Sequence, residues 1–415
     1  MFSLVLRLGL RINFPVIRKM NANFDALVIG GGPAGATTAA LLAHSGWSVA
    51  LIEKKSFPRV KVCGEFLSAA TYPLLAELGI AELFSEQAGP PVKRVGWFVA
   101  NQMLTADMPV MHNSIKWGRA LGREHLDTAL LNVARERGVE IWQPWTALSI
   151  ITEKNYFICQ LESKEKEKTL ELTAPVLIMA QGSWEKPVIK RNPIVHKPSD
   201  LLAFKTHFSH SNLDRDLMSL ISFPDGYGGL VHSNDERMTL SCCIRRERLQ
   251  KLRSHYTGLS AGDAVLRYIR ANCLGVDTSL SSAEQQDQWL AVGPISPGIR
   301  SCYQNDIFYV GNVAAEAHPI IAEGISMAMQ SACLLAKCFI KHGKKLDKEH
   351  LNRVGIDYQK QWHHQFVGRI RAAALFAHLT MRPHLSSSLL PIIRRFPGIL
   401  SFSAALSGKV KELKI

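Results

Sequence analysis

A short apolar run at residues 25–29 leads into six residues rich in glycine, 30–35, and then into small and aliphatic positions through 36–44. Gly46 ends that stretch, and a second apolar run fills 47–53. The succession predicts a strand, a tight turn, a helix and a second strand, one βαβ unit. Residues 122–138 predict another helix, because Leu126, Ala129, Leu130, Val133 and Ala134 share one face and Gly138 stops it; a strand at 139–142 follows. Short strands then meander to residue 180, with the Lys- and Glu-rich stretch 162–168 as a solvated hairpin tip. Strand-like stretches at 201–208 and 237–245 surround the glycine-rich segment 226–229. A strand at 306–310 leads through a loop to an apolar helix from about Gly324. Helices punctuated by Pro383, Pro391 and Pro397 finish the chain. No internal repeat or long linker interrupts the pattern.

Composition adds exclusions. With 47% hydrophobic and 20% charged residues over 415 positions, the chain is globular and long enough for two entwined domains. The eight cysteines form no CxxC pair and no His/Cys spacing that closes a metal site, so reduced thiols, no metal and a cytoplasmic setting are expected. The net charge of +14 is concentrated at the two ends. Residues 1–20 carry Arg7, Arg11, Arg18 and Lys19 without an acid, and residues 361–415 carry Arg369, Arg371, Arg382, Arg394, Arg395, Lys409, Lys411 and Lys414 against Glu412 alone. A nearly neutral body argues against nucleic acid. Basic ends that are also apolar fit peripheral contact with a membrane surface. No secretory signal is read in the first 19 residues, where Arg7 and Arg11 cut the apolar runs, and Met20 is an alternative start. No stretch is apolar and uncharged for long enough to span a bilayer.

The turn of the βαβ unit carries the chemistry. Gly30-Gly31-Gly32-Pro33-Ala34-Gly35 fits GxGxxG between a strand and a helix, and Glu53 ends the next strand 18 residues on. Gly30 is expected to make the turn, Gly32 to admit a pyrophosphate to backbone N–H groups, and Gly35 to let helix and strand pack closely. Pro33 and Ala34 open a helix whose N-terminus faces the phosphates, while Glu53 and the adjacent Lys54 lie toward the ribose. The motif alone admits NAD or FAD.

Three further segments decide for FAD by resemblance. Arg123 in Gly122-Arg123-Glu124-His125-Leu126-Asp127, the strand end Ala180-Gln181-Gly182-Ser183, and Gly311-Asn312-Val313-Ala314 followed by Pro319, Gly324 and Ile325 resemble the flavoproteins that include aromatic-ring hydroxylases and geranylgeranyl reductases. The resemblance covers about residues 24–340. It implies an α/β fold, with a Rossmann-like FAD-binding domain at 21–90, 117–185 and 291–345. An interleaved β-sheet substrate domain is then expected at 91–116 and 186–290, and a basic helical region at 346–415. Arg123, Gly182, Gly311, Asn312, Pro319, Gly324 and Ile325 would contact FAD. Asn312 stands where the family has Asp; the amide keeps a hydrogen bond and removes a negative charge near the flavin.

Residues 59–65, Arg-Val-Lys-Val-Cys-Gly-Glu, look like a geranylgeranyl reductase segment whose cysteine lies beside the flavin, and Glu323-Gly324-Ile325 is similar to that family's G-E-G-I. The reductase pattern Y-x-W-x-F-P keeps only Tyr227 here. Cys63, Glu65, Tyr227 and Glu323 are therefore the catalytic candidates, with His318 beside them. Against these stand a packing role for Cys63, loop-fixing roles for Glu65, His318 and Glu323, and a core role for Tyr227. The implied activity is hydride exchange between FAD and a carbon–carbon double bond of a hydrophobic, isoprenoid- or polyketide-like substrate. An NAD(P)H-dependent monooxygenase and a flavin-free binding protein of the same fold are the alternatives. No second GxGxxG occurs, so NAD(P)H or another reductant is expected to visit transiently.

Overall fold

A computed structural model describes residues 22–110, 117–163, 165, 168–184, 188–189 and 197–409. Residues 1–20, with their basic extension, lie outside the described residues, as do 164, 166 and 167 of the expected hairpin tip at 162–168. The strands either side of that tip, Tyr156–Ser163 and Lys168–Ala174, pair antiparallel as a hairpin requires.

The apolar runs that opened the reading form the centre of a six-stranded sheet. Its order is Tyr303–Gln304, Ile307–Tyr309, Val176–Met179, Ala26–Ile29, Val49–Ile52 and Glu140–Trp142. Every pairing is parallel except that of the edge hairpin. Ala26–Ile29, Val49–Ile52 and Val176–Met179 are buried along their whole length, which is why they read as continuous apolar runs rather than alternating ones. Helix Pro33–His44 connects the first two strands and packs against helices Arg123–Glu136 and Gly324–His342.

A second, largely antiparallel sheet runs in the order Glu284–Gln285, Leu201–Ser209, Met238–Arg245, Gly226–His232, Leu217–Phe223, Arg94–Val99 and Gln102–Asp107. A third, four-stranded sheet is formed by Ala22–Asn23, Lys168–Ala174, Tyr156–Ser163 and Thr146–Glu153. The two large sheets have separate cores, one around Leu27, Leu51 and Leu335 and one around Phe204, Ile221 and Leu240.

Two expectations are corrected. First, the substrate domain does not stop at 290, because Leu290–Ile295 adds a strand to Leu201–Ser209 in the second sheet. The segment at 226–229 is itself an inner strand: a Cβ at Gly226 would collide with the Phe223 ring, and one at Gly228 would lie 2.6 Å from the Ser241 carbonyl oxygen. Close neighbours within the sheet thus require these glycines. Second, Pro391 lies inside helix Pro383–Arg395 rather than at a boundary; the other C-terminal helices are Lys348–Thr380 and Gly398–Ala404.

Candidate active site

A cavity of about 660 Å³ draws its lining from the carboxyl ends of the parallel strands and from the second sheet. That volume falls within the roughly 300–1,000 Å³ of small-molecule sites.

Its first wall is the glycine turn. Gly30 has φ +109°, and a Cβ there would lie 2.7 Å from the Ala180 carbonyl oxygen. Gly35 does not line the cavity; a Cβ on it would collide with the Gly30 carbonyl, so it permits the close approach of helix and strand. Glu53 is buried, and its carboxylate accepts from Gly31 N and Lys55 N, both at 2.8 Å, which ties the turn to the end of the neighbouring strand. Lys54, though exposed, also lines the cavity.

Opposite Gly32 stands a cluster of cations. A Cβ on Gly32 would meet only Arg59 Nη2 at 3.7 Å and Arg123 Nη2 at 3.8 Å. Arg123 begins helix Arg123–Glu136 and donates to both oxygens of the buried Asp127, each at 2.7 Å. Arg59 reaches the same carboxylate at 3.6 Å and Glu53 at 3.4 Å. Lys61 has no ion-pair partner among the described residues, and burial together with Arg59 and Arg123 pushes its amine down to about 8. A half-buried cluster of three cations set against two carboxylates, facing a helix N-terminus, is a site for an anion. These residues fit a diphosphate such as that of FAD, which Arg59, Lys61, Arg123 and the Gly32 turn would hold.

The loop beyond brings Cys63, Gly64 and Glu65 to the cavity wall. Cys63 is partly exposed, and its sulfur accepts from Glu65 N at 3.3 Å. Glu65 does not match a free catalytic acid. Its carboxylate is fully buried, where it pairs with Lys205 and accepts from Thr239 Oγ1 at 2.6 Å and Ser233 Oγ at 3.2 Å, with His207 Nε2 at 3.3 Å. Burial alone would raise its pKa, but His207 and Lys205 outweigh burial and hold it well below the usual carboxylate range. Glu65 therefore fastens this loop to the second sheet through Lys205, His207, Ser233 and Thr239.

Tyr227 is both a core aromatic and a cavity residue. It is buried, lines the cavity, and its hydroxyl lies 3.0 Å from His318 Nδ1. Burial, with Cys243 and Glu316 nearby, raises the phenol well above its ordinary value. Burial and the neighbouring His378 push His318 down to about 4, so the imidazole is neutral near pH 7. His378 is exposed, its ring centroid 5.8 Å from that of His318. The three side chains lead from the cavity to the surface.

Around the last segment, Gly182, Gly311, Asn312, Pro319, Gly324 and Ile325 all line the cavity, as do Pro33 and Ala34. Gly311 has φ +67°, and a Cβ there would press on Ala34 at 2.8 Å. Helix Gly324–His342 thus begins at the cavity, but Glu323 turns away from it. Its carboxylate is fully buried, accepts from Ser68 Oγ at 3.2 Å and pairs with Arg369 at 3.3 Å. The catalytic expectation for Glu323 is corrected to a structural one, because it does not line this cavity and its carboxylate is held by Ser68 and Arg369.

Arg59, Lys61 and His378 were not singled out in the sequence, nor were two carboxylates of the site. Glu316 is a buried cavity carboxylate, with Trp184 Nε1 at 3.2 Å and a pKa raised by burial. Nothing in local spacing marks it. Asp127 could have been found, since it stands four residues after Arg123 on one helix face.

A strand-turn-helix phosphate cradle beside a sheet-walled apolar chamber defines the class: a Rossmann-like dinucleotide-binding protein. A family profile described as the FAD binding domain matches residues 23–353, and the chain belongs to that family. FAD is its cofactor, and its class is FAD-dependent oxidoreductase. Conditioned medium factor receptor 1 of Dictyostelium discoideum is 24% identical over 97% of this chain and 78% of its own. Among solved structures, the myxobacterial chondrochloren halogenase CndH aligns with a TM-score of 0.75 at 19% identity, covering 93% of this chain and 91% of its own. A geranylgeranyl bacteriochlorophyll reductase-like protein of Thermoplasma acidophilum aligns with a TM-score of 0.64 at 17% identity, covering 92% and 99%. The fold is therefore shared by halogenases and by reductase-like proteins.

Proposed function

We propose that the protein transfers hydride between FAD and a carbon–carbon double bond of a hydrophobic substrate. The observation that supports this best is Tyr227: a phenol held protonated by burial, in the cavity wall and bonded to a neutral histidine. When bound, FAD would supply the redox equivalent. The chain would supply the proton for the second carbon from Tyr227 Oη, and His318 and His378 would return a proton to it from solvent. Buried, weakly polar walls around Leu220, Leu230 and Phe204 would hold an apolar, isoprenoid- or polyketide-like substrate and keep water from the reacting carbons. Cys63, on the loop fastened by Glu65, would pack beside the ring. NAD(P)H or another reductant would visit transiently.

A second reading, oxygenation or halogenation of the same substrate, draws on the halogenase likeness. Both are tested in one experiment. The purified, FAD-loaded protein is reduced without oxygen by NADH or NADPH, then mixed with unsaturated prenyl and polyketide compounds, or with oxygen and halide. Reoxidation by the unsaturated compounds without oxygen, with a product two hydrogens heavier, supports hydride transfer. Product formed only with oxygen, carrying oxygen or halogen, replaces it with the second reading.

A further inference from the structure

The last two helices present an apolar surface that the fold leaves open. Ile392 and Phe396 stand four residues apart on the end of helix Pro383–Arg395, and Ile399, Phe402 and Leu406 recur at spacings of three and four beyond it. Phe396 and Phe402 are 60% and 64% exposed, and Ile392 and Leu406 are more than half exposed. Their opposite faces are anchored: Ile393, Leu400 and Ala404 pack into one cluster with Phe66, Trp97, Met218 and Val231. Because both helices bury one side in the same cluster, their exposed sides point away from it together.

The geometry says how such a surface would be used. Among the described residues no single helix is long and apolar enough to cross a membrane, and the segments Ser388–Arg395 and Gly398–Gly408 meet at 100°. Two short helices at that angle can both lie in one plane, as an interfacial element requires. Charge supplies the complement. Arg382, Arg394 and Arg395 are exposed beside the apolar positions, Arg395 lies over the Phe396 ring at 5.8 Å, and no Asp or Glu occurs between residues 358 and 411. Arg369, which the sequence pattern placed with this set, is excluded from it because it is buried against Glu323.

We propose that this ridge docks flat on an anionic lipid bilayer, with Phe396 and Phe402 entering the interface and Arg394 and Arg395 meeting the headgroups. The cluster beneath the ridge shares Phe66, Met218, Val231 and Ala322 with the cavity lining, so the docked face lies one layer of side chains from the chamber. A substrate dissolved in the bilayer would thus be held next to its site; this use of the surface rests on the reading of a hydrophobic substrate, whereas docking does not.

The test is sedimentation of the FAD-loaded full chain with vesicles of phosphatidylglycerol and phosphatidylcholine, without substrate, at low and high salt. The protein is expected to pellet with the mixed vesicles at low salt and to release at high salt. Phe396→Ser with Phe402→Ser should lower partitioning about tenfold or more, and Arg394→Gln with Arg395→Gln should also lower it and remove its salt dependence. Both pairs are exposed, so FAD content and melting should stay unchanged. Absence of pelleting at low salt overturns the inference, as does pelleting that neither pair alters. A concentration-dependent dimer that Phe396→Ser with Phe402→Ser dissolves, without vesicle binding, would show that a second copy covers the ridge. Vesicle binding by a protein that turns over no apolar substrate would leave docking standing and remove only its proposed use.

Discussion

Arg369→Met should be among the most destabilising single changes in the chain. Arg369 sits on the long helix Lys348–Thr380 with its side chain 5% exposed, pairs with Glu323 at 3.3 Å, and donates to Gln330 Oε1 at 2.8 Å and to the Ser407 carbonyl at 2.9 Å. It therefore ties three elements together: the residue capping the helix that faces the cavity, that helix itself, and the C-terminal turn. Methionine fills much of the volume but takes the Arg369 guanidinium away from the fully buried Glu323 carboxylate. Removing one partner of a buried pair costs about 3–5 kcal/mol, against a total of about 5–15 kcal/mol for a typical domain. The loss should be partly recovered in Arg369→Met with Glu323→Gln, where no charge is stranded, giving a coupling of about 0.5–3 kcal/mol. Urea unfolding of the wild type, both single variants and the double variant measures each value. A loss below about 1 kcal/mol for Arg369→Met, or strict additivity in the cycle, would refute the buried-pair account.

FAD affinity should depend on pH through Lys61. Its amine titrates at about 8 in the free protein, and a bound diphosphate would raise that value, so binding is strongest below pH 8 and weakens as the amine deprotonates above it. Flavin fluorescence titrations at pH 7 and pH 9 should differ by about tenfold, and Lys61→Met should flatten the dependence. Tyr227→Phe should keep FAD and its fold yet slow substrate-dependent reoxidation about 10²–10⁴-fold in stopped-flow traces; unchanged rates would return Tyr227 to packing alone.

The parallel sheet and its glycine turn were legible because their causes are local. Gly35 answers a steric demand five residues away, the Gly30 carbonyl, the GxGxxG spacing marks the turn even though Gly30 itself packs on the distant Ala180 carbonyl, and buried parallel strands announce themselves as apolar runs. Arg123 was legible for a related reason, opening a helix with a regular apolar face. The roles of Glu65 and Glu323 were not, since their partners Lys205, His207 and Arg369 lie far along the chain and only folding brings them near. Glu323 reads as a site residue because it adjoins Gly324, yet the turn into the helix sends its side chain to the opposite side. The boundary at 290 failed similarly: Leu290–Ile295 alternates weakly and is a strand only because Leu201–Ser209 offers it an edge.

The phosphate cradle is tested most directly by counting FAD per chain in wild type and Gly32→Val. A Cβ at Gly32 finds no clash within the protein, only the two guanidinia at 3.7 and 3.8 Å, so the variant should fold and melt normally. The added side chain occupies the space reserved for the diphosphate, and equilibrium dialysis should give close to one FAD per wild-type chain and near none for the variant at the same free FAD. Full occupancy in a folded Gly32→Val protein would contradict the placement of the cofactor on this turn.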